Sequence, residues 1–224
     1  MRIGIFGGAF NPIHYGHLLL ADEVSERLQC DRFVFVPAAR PPHKPETELA
    51  PASDRDAMVR AAITDHPTFE VSSIEIERPG ISYSVETVGT FAKQFGRGSS
   101  LFFLIGGETF LELPSWRDPG RLAELATFIV VPRHGSPFDP ESPAALKVLA
   151  LLGNRRWSVV PDEGPPAAMQ KDCVLLMRAT SLPISASDLR RRAREGRSLR
   201  FRVPPAVEAY IRLHGLYRSR AECR

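Results

Sequence analysis

Short stretches that are apolar at nearly every position recur along the chain, and each ends at a turn signal. Residues 2–6 run into Gly7-Gly8, 32–36 stop at Pro37, 101–105 run into Gly106-Gly107, and 128–131 close at Pro132. Runs of this length and composition predict buried strands. A short strand at 69–71 and two weaker ones at 157–160 and 174–177 complete the set. Between them the apolar spacing changes to that of a helix. Over 14–29, Leu20, Val24 and Leu28 recur at every fourth position. Further helices are predicted from a cap at Ser53 or Asp54 to 64, from Ser82 or Ser84 to 94, and over 117–125, 144–152, 187–195 and 205–214. The stretch 38–51 carries four prolines beyond Pro37 and reads as a loop.

Strands that are apolar on both sides, alternating with helices, predict a parallel sheet covered on both faces. The expected fold class is α/β, a Rossmann-like doubly wound parallel sheet with a small C-terminal helical segment. Residues 1–224 are expected to form a single domain, with about 185–224 as the helical segment, because no internal repeat or linker interrupts the pattern. Ligands of such sheets bind at the C-terminal ends of the strands. The chemistry is therefore sought in the loops after Phe6, Val36 and Ile105, and before the tail helices.

Composition narrows the class. With 224 residues, 43% hydrophobic and 25% charged, the chain can bury a core. The longest strand-like apolar run has five residues, far below the ~18 of a membrane helix. No basic-then-apolar leader opens the sequence, and the three cysteines form no paired motif. A cytoplasmic protein without membrane contact is expected. Net charge is +3, but residues 185–224 alone carry +7 and the remainder −4. A basic tail wants an anion. A solvated arginine-rich face, nucleic acid and the phosphates of a small molecule all remain open on charge alone.

The loop after the first strand reads Gly7-Gly8-Ala9-Phe10-Asn11-Pro12-Ile13-His14-Tyr15-Gly16-His17. Adjacent glycines let backbone N–H groups approach an oxyanion closely, and the helix that follows aims its positive end there. His14 and His17 stand three apart, so their imidazoles share a face of the first turn. A zinc pair is one reading, although no third ligand stands nearby in sequence, and two capping or core histidines are another. Phosphate binding is the reading preferred. In the tail, Ser185 and Ser187 precede a helix and can offer hydroxyls beside its N–H groups, while Arg190 can fork onto phosphate oxygens. Arg191, Arg192 and Arg194 are expected to be solvated.

The segment from Gly7 to Ala21 resembles the signature of the nucleotidyltransferase superfamily with an HxGH motif. Four further segments narrow the resemblance to the bacterial nicotinate-nucleotide adenylyltransferases, and it runs nearly end to end: Pro37 to Lys44, Arg78 to Ser84, Leu113 to Trp116, and Ile184 to Arg190. The ending Val203-Pro204-Pro205 through Leu216-Tyr217 also fits.

The resemblance implies transfer of the adenylyl group of ATP to nicotinate mononucleotide, giving deamido-NAD and pyrophosphate. It implies ATP contacts at Gly7, Gly8, Ala9, Phe10, His14, His17, Arg133, Ile184, Ser185, Ser187 and Arg190. It implies nicotinate mononucleotide contacts at Gly8, Lys44, Tyr83, Ser84, Val85, Glu108 and Trp116. His14, His17, Lys44 and Arg190 are the expected catalytic groups. Mg²⁺ is expected on the ATP phosphates, without a protein metal site. His43 and Lys44 also read as an exposed loop pair, Trp116 as a core residue, and Ser82 to Ser84 as a plain helix cap. Two departures stand out: Glu108 where the family usually has Asp, and Asn11 where Asp is frequent. The alternatives are the same chemistry on nicotinamide mononucleotide or pantetheine 4′-phosphate, and a non-catalytic nucleotide- or RNA-binding protein. Nucleic acid is disfavoured, and the oligomeric state is left open, a homo-oligomer included.

Overall fold

The computed structural model describes residues 1–41, 49–132, 135, 138–162 and 172–218. Seven strands form one sheet: β1 (Arg2–Gly8), β2 (Arg32–Pro37), β3 (Phe69–Val71), β4 (Ser100–Gly106), β5 (Thr127–Val131), β6 (Arg156–Val159) and β7 (Cys173–Leu176). Their order is β3-β2-β1-β4-β5-β7-β6, and every pairing is parallel.

The period of two along each strand splits the core in two. Phe33, Phe35, Phe102, Leu104, Ile129 and Val131 point to one face. Ile3, Ile5, Val34, Val36, Phe103, Phe128 and Val130 point to the other. The first face is covered by α1 (Tyr15–Arg27), α2 (Ala52–Ile63), α8 (Ala186–Arg194) and α9 (Pro205–Leu213). The second is covered by α4 (Ser84–Phe95), α5 (Gly107–Leu111), α6 (Pro119–Leu125) and α7 (Pro143–Leu151). A four-residue helix, α3 (Ile74–Glu77), precedes α4, and a 3₁₀ turn spans Leu113–Ser115.

Gly4 shows how tightly the first face is filled. A Cβ there would lie 2.2 Å from Cδ2 of Phe33, its partner in the β1–β2 register. Only glycine leaves that aromatic ring its place.

Several element starts differ from the sequence reading. The second helix starts at Ala52 after Pro51, ahead of Ser53 and Asp54, and no side chain caps it. Helix α4 starts at Ser84, one of the two starts expected for it. Helix α6, expected from 117, starts at Pro119, where Asp118 accepts a bond from the Arg121 N–H at 3.1 Å. The chain leaves β1 towards β2 and β3 and returns to β4 on the other side of β1. The order therefore reverses between β1 and β4, and in sheets of this kind the ligand crevice lies above the strand ends at such a reversal, here Gly8 and Gly106. Among the described residues no helix is long and apolar enough to cross a membrane.

Candidate active site

The loop leaving β1 turns on Phe10, whose φ is 42° and whose side chain is buried. Its ring packs edge-on to Phe6 and His17, with centroids 5.3 Å away in each case. A Cβ on Gly8 would sit 3.1 Å from that ring. His14 then takes the extended conformation that begins α1, and its carbonyl accepts from the N–H groups of His17 and Leu18. The imidazoles of His14 and His17 stack, with centroids 3.7 Å apart and planes 25° apart. His14 is 6% exposed and His17 is half-buried. The i, i+3 spacing thus brings both rings together at the mouth of the crevice. One first-turn amide of α1 is already used: Tyr15 donates to the Arg202 carbonyl at 3.0 Å.

The tail reaches the same loop. Ser185 caps α8 by accepting from the Asp188 N–H at 3.1 Å, and its hydroxyl lies 2.8 Å from that of Ser187. One turn on, Arg190 Nη1 donates to the Asn11 carbonyl at 3.0 Å across 179 residues of sequence. Asn11 itself is 4% exposed. Its Oδ1 accepts from the Ala50 N–H at 3.1 Å and from the Tyr217 hydroxyl at 2.9 Å. An acceptor oxygen is what this position uses, and the amide supplies one as a carboxylate would. Burial raises the pKa of Tyr217, so the hydroxyl stays a donor at physiological pH. Ile184 is half-buried against the first core face. Of the arginines expected to be solvated, Arg191 is exposed and pairs with Asp188 at the surface, whereas Arg192 is half-buried and donates twice to the Ser198 carbonyl. The spacing i, i+3 on α8 accounts for the first of these.

The far side of the crevice carries α4. Tyr83 precedes its first turn, and the N–H groups of Glu86 and Thr87 return to the Tyr83 carbonyl. Ser84 and Val85 therefore occupy first-turn positions, whose amides have no acceptor within the helix. Arg117 lies over the Tyr83 ring at 4.6 Å and donates to Glu86 at 3.0 Å. Beneath, Glu75 is 6% exposed and accepts from the Thr87 hydroxyl at 2.7 Å. Burial pushes its pKa up, against bonds from Thr87 and Ser82 and the charges of Arg78 and Arg55. Ser82 ties α4 to the loop after β2: its Oγ accepts from the N–H groups of Ala39 (3.1 Å) and Arg40 (3.2 Å), and its own N–H donates to the Arg40 carbonyl.

After β4, Glu108 stands exposed in the first turn of α5. Trp116 follows the 3₁₀ turn, half-buried and edge-on to Phe103 at 6.3 Å. Its indole N–H is buried and finds no acceptor among the described residues. Lys44 and Arg133 lie outside the described residues. Since β2, β1 and β4 are neighbours, the loops bearing Ala39, the two histidines, and Glu108 with Trp116 share one edge of the sheet. Among the described residues no three His, Cys, Asp or Glu side chains gather around one point.

Sequence reasoning missed Arg55 and Glu75, and it named Ser82 only as a helix start and Tyr217 only within the matching C-terminal ending, without the bonds they make here. Arg55 left a trace: it falls on the buried stripe of α2 with Met58, Val59 and Ile63, where a charge is out of place.

Comparison with known proteins matches residues 5–192 to the family described as Cytidylyltransferase-like. A relative from Thermus thermophilus is 42% identical over 218 residues, covering 97% of this chain and 100% of the relative. Another, from Syntrophotalea carbinolica, is 40% identical over 219 residues and covers 98% of both chains. Both bear the name "Probable nicotinate-nucleotide adenylyltransferase". In three dimensions the chain is similar to the Plasmodium falciparum nicotinic acid mononucleotide adenylyltransferase complexed with NaAD. The TM-score is 0.71 at 18% identity, covering 96% of this chain and 97% of that one, a likeness of fold.

Proposed function

This chain belongs to the cytidylyltransferase-like family and, with its full-length relatives, to the nicotinate-nucleotide adenylyltransferases, and on that premise we propose that it transfers the adenylyl group of ATP to nicotinate mononucleotide. A phosphate oxygen of the mononucleotide attacks the α-phosphorus of ATP. The bond to the bridging oxygen breaks, pyrophosphate leaves, and deamido-NAD forms. The observation that carries the reading is the meeting of the stacked His14–His17 pair with Arg190 on one loop at the sheet's switch point.

The nucleophile is already an anion, so the task is to bring two polyanions together in line. Gly7 and Gly8 line the ATP phosphates with backbone, and Ala9 and Phe10 lie on the adenine side. His14 and His17 donate to the phosphates and to charge that develops in the transition state. Arg190, and Lys44 from the loop after β2, add positive charge. Ile184, Ser185, Ser187 and Arg133 complete the ATP side. Across the crevice, the Ser84 and Val85 amides receive the nicotinate carboxylate at the start of α4. Trp116 and Tyr83 offer aromatic faces, and Glu108 faces the sugar.

The polar groups named on the ATP side are imidazole, hydroxyl, guanidinium and amine. That set suits phosphate and not Mg²⁺, which prefers carboxylate and water oxygens. A divalent ion used in this chemistry would therefore be held mainly by the phosphate oxygens of ATP, and it would supply neutralisation of their charge. We take residues 1–224 as one domain, because α8 and α9 share a core face with α1 and α2. We take its place of work to be the cytoplasm.

Pyrophosphate release from ATP and Mg²⁺ tests the proposal with nicotinate mononucleotide, nicotinamide mononucleotide and pantetheine 4′-phosphate in parallel. The acid is expected to win, since amide donors meet a carboxylate well and a carboxamide badly. Equal rates with acid and amide would remove Ser84 and Val85 from selectivity. Silence with all three would sink the reaction.

A further inference from the structure

Arg55 heads the fully buried side chains by size, at 1% exposure, on a stripe otherwise made of Met58, Val59 and Ile63. Burying a guanidinium is costly, and burial lowers its pKa. Its three nitrogens are all spent on backbone carbonyls from separate segments. Nη1 donates to Ala9 at 2.8 Å, Nη2 to Ala39 at 3.2 Å, and Nε to Ala50 at 2.9 Å. Glu75 and Tyr217 add to it at longer range.

The amides of these partners are held as well. Ala39 and Arg40 donate to Ser82 Oγ, and Ala50 donates to Asn11 Oδ1. Ala39 is therefore pinned on its carbonyl by Arg55 and on its amide by Ser82, two residues before α4. A chain of hydrogen bonds runs from the loop at Ala9, through Arg55 and Ala39, to Ser82, two residues before the first turn of α4. Methionine or leucine on the same stripe would fill the space without the desolvation cost. What the guanidinium adds is direction, because its N–H vectors are fixed in one planar fork.

We infer that Arg55 and Ser82 are positioning residues, which fix the spacing between the loop on the ATP side and the helix start on the mononucleotide side. The inference rests on the adenylyl-transfer reading. In-line displacement is sensitive to that spacing: about 1 Å of misplacement can cost 10²-fold. Each substrate still meets its own loop when the tie is cut. The loss should therefore fall on turnover and spare binding.

The test is Arg55→Lys, which keeps charge and stem but offers one nitrogen where three stood. Pyrophosphate release is measured with each substrate varied in turn, and the folded fraction is taken from thermal melts. We expect kcat per folded molecule to fall about 10²-fold, with both KM values within about threefold of wild type. Ser82→Ala should lower kcat about tenfold, and the double variant should fall no further than Arg55→Lys, since both cut one tie. A merely structural role would lower the melting temperature and leave kcat per folded molecule near wild type, which overturns the inference. If Arg55→Lys does not fold, Ser82→Ala decides alone, and an unchanged kcat overturns it. Wild-type protein inactive on nicotinate mononucleotide removes the reaction and this inference together. Active wild type with variants equally active removes only the inference.

Discussion

Gly16 lies between the two histidines, and its replacement by alanine separates a catalytic role for His14 from a structural one. A Cβ at Gly16 would stand 3.0 Å from Nδ1 and 3.1 Å from Cε1 of His14, with the Leu182 carbonyl oxygen at 3.8 Å. Ordinary contact begins near 3.4 Å, so the ring must withdraw by about 0.4 Å. His14 is buried and stacked on His17, so its retreat disturbs the pair. If about 1 Å of misplacement costs 10²-fold, 0.4 Å should lower kcat about five- to tenfold. The fold should not suffer in step. Alanine exceeds glycine by up to about 1 kcal/mol within a helix, which offsets the crowding. In a chain of this size 1 kcal/mol is about 2–4 °C, so the melting temperature should stay within about 3 °C of wild type. The assay is pyrophosphate release at saturating substrates beside a thermal melt. A folded variant with kcat within twofold of wild type would refute the placement of His14 at the reacting phosphates. A fall in activity that merely tracks the folded fraction would make Gly16 a packing glycine.

Further predictions concern the neighbours of that pair. His17→Ala should lower kcat by about 10² with the fold intact, as loss of one transition-state donor does, and near-normal turnover would take His17 out of the mechanism. Trp116→Ala should raise the KM for nicotinate mononucleotide well above any change in that for ATP, whereas equal changes would make Trp116 structural. Glu75 sets a pH dependence. Its folded pKa is raised above 4.5 by burial, so the folded chain holds this proton to higher pH than the unfolded one, and stability falls as pH rises through that interval. Glu75→Gln keeps an acceptor for Thr87 and cannot titrate. Its melting temperature relative to wild type should therefore climb between pH 4 and pH 8, and a difference constant with pH would contradict the burial argument.

The parts of the fold readable from sequence were those with enough residues to show a period. The strands at Ile3–Ile5, Phe33–Val36, Leu101–Ile105 and Phe128–Val131 are apolar on both sides because both faces of a parallel sheet are covered. That pattern reveals parallel pairing but not the order β3-β2-β1-β4-β5-β7-β6, which depends on where each crossover lands. Helices α3 and α5 have four and five residues, too few for a period of 3.6 to emerge. The same division holds in the site. His14 and His17 lie within one turn, so their spacing alone predicts their meeting. The meeting of Asn11 with Arg190 and Tyr217 crosses 179 and 206 residues, and no local pattern encodes it.

Those long-range bonds also decide what the basic tail is for. Arg202 receives the Tyr15 N–H on its carbonyl, Tyr210 donates to Asp54 at 2.8 Å, Tyr217 reaches Asn11, and Arg190 holds the same loop. The tail thus holds the loop after β1 from behind and ties it to α2. Several of its guanidinium groups are engaged at the same time. Arg191 pairs with Asp188, Arg197 lies 3.5 Å from Glu195, and Arg192 is bound to the Ser198 carbonyl. Useful affinity for nucleic acid at physiological salt comes from many arginines and lysines, each neutralising a phosphate of its own. Arginines spent on the segment's own helix and on the loop after β1 are withdrawn from that task. On the adenylyl-transfer reading, Arg190 puts part of the tail's +7 to use at the loop that carries the two histidines.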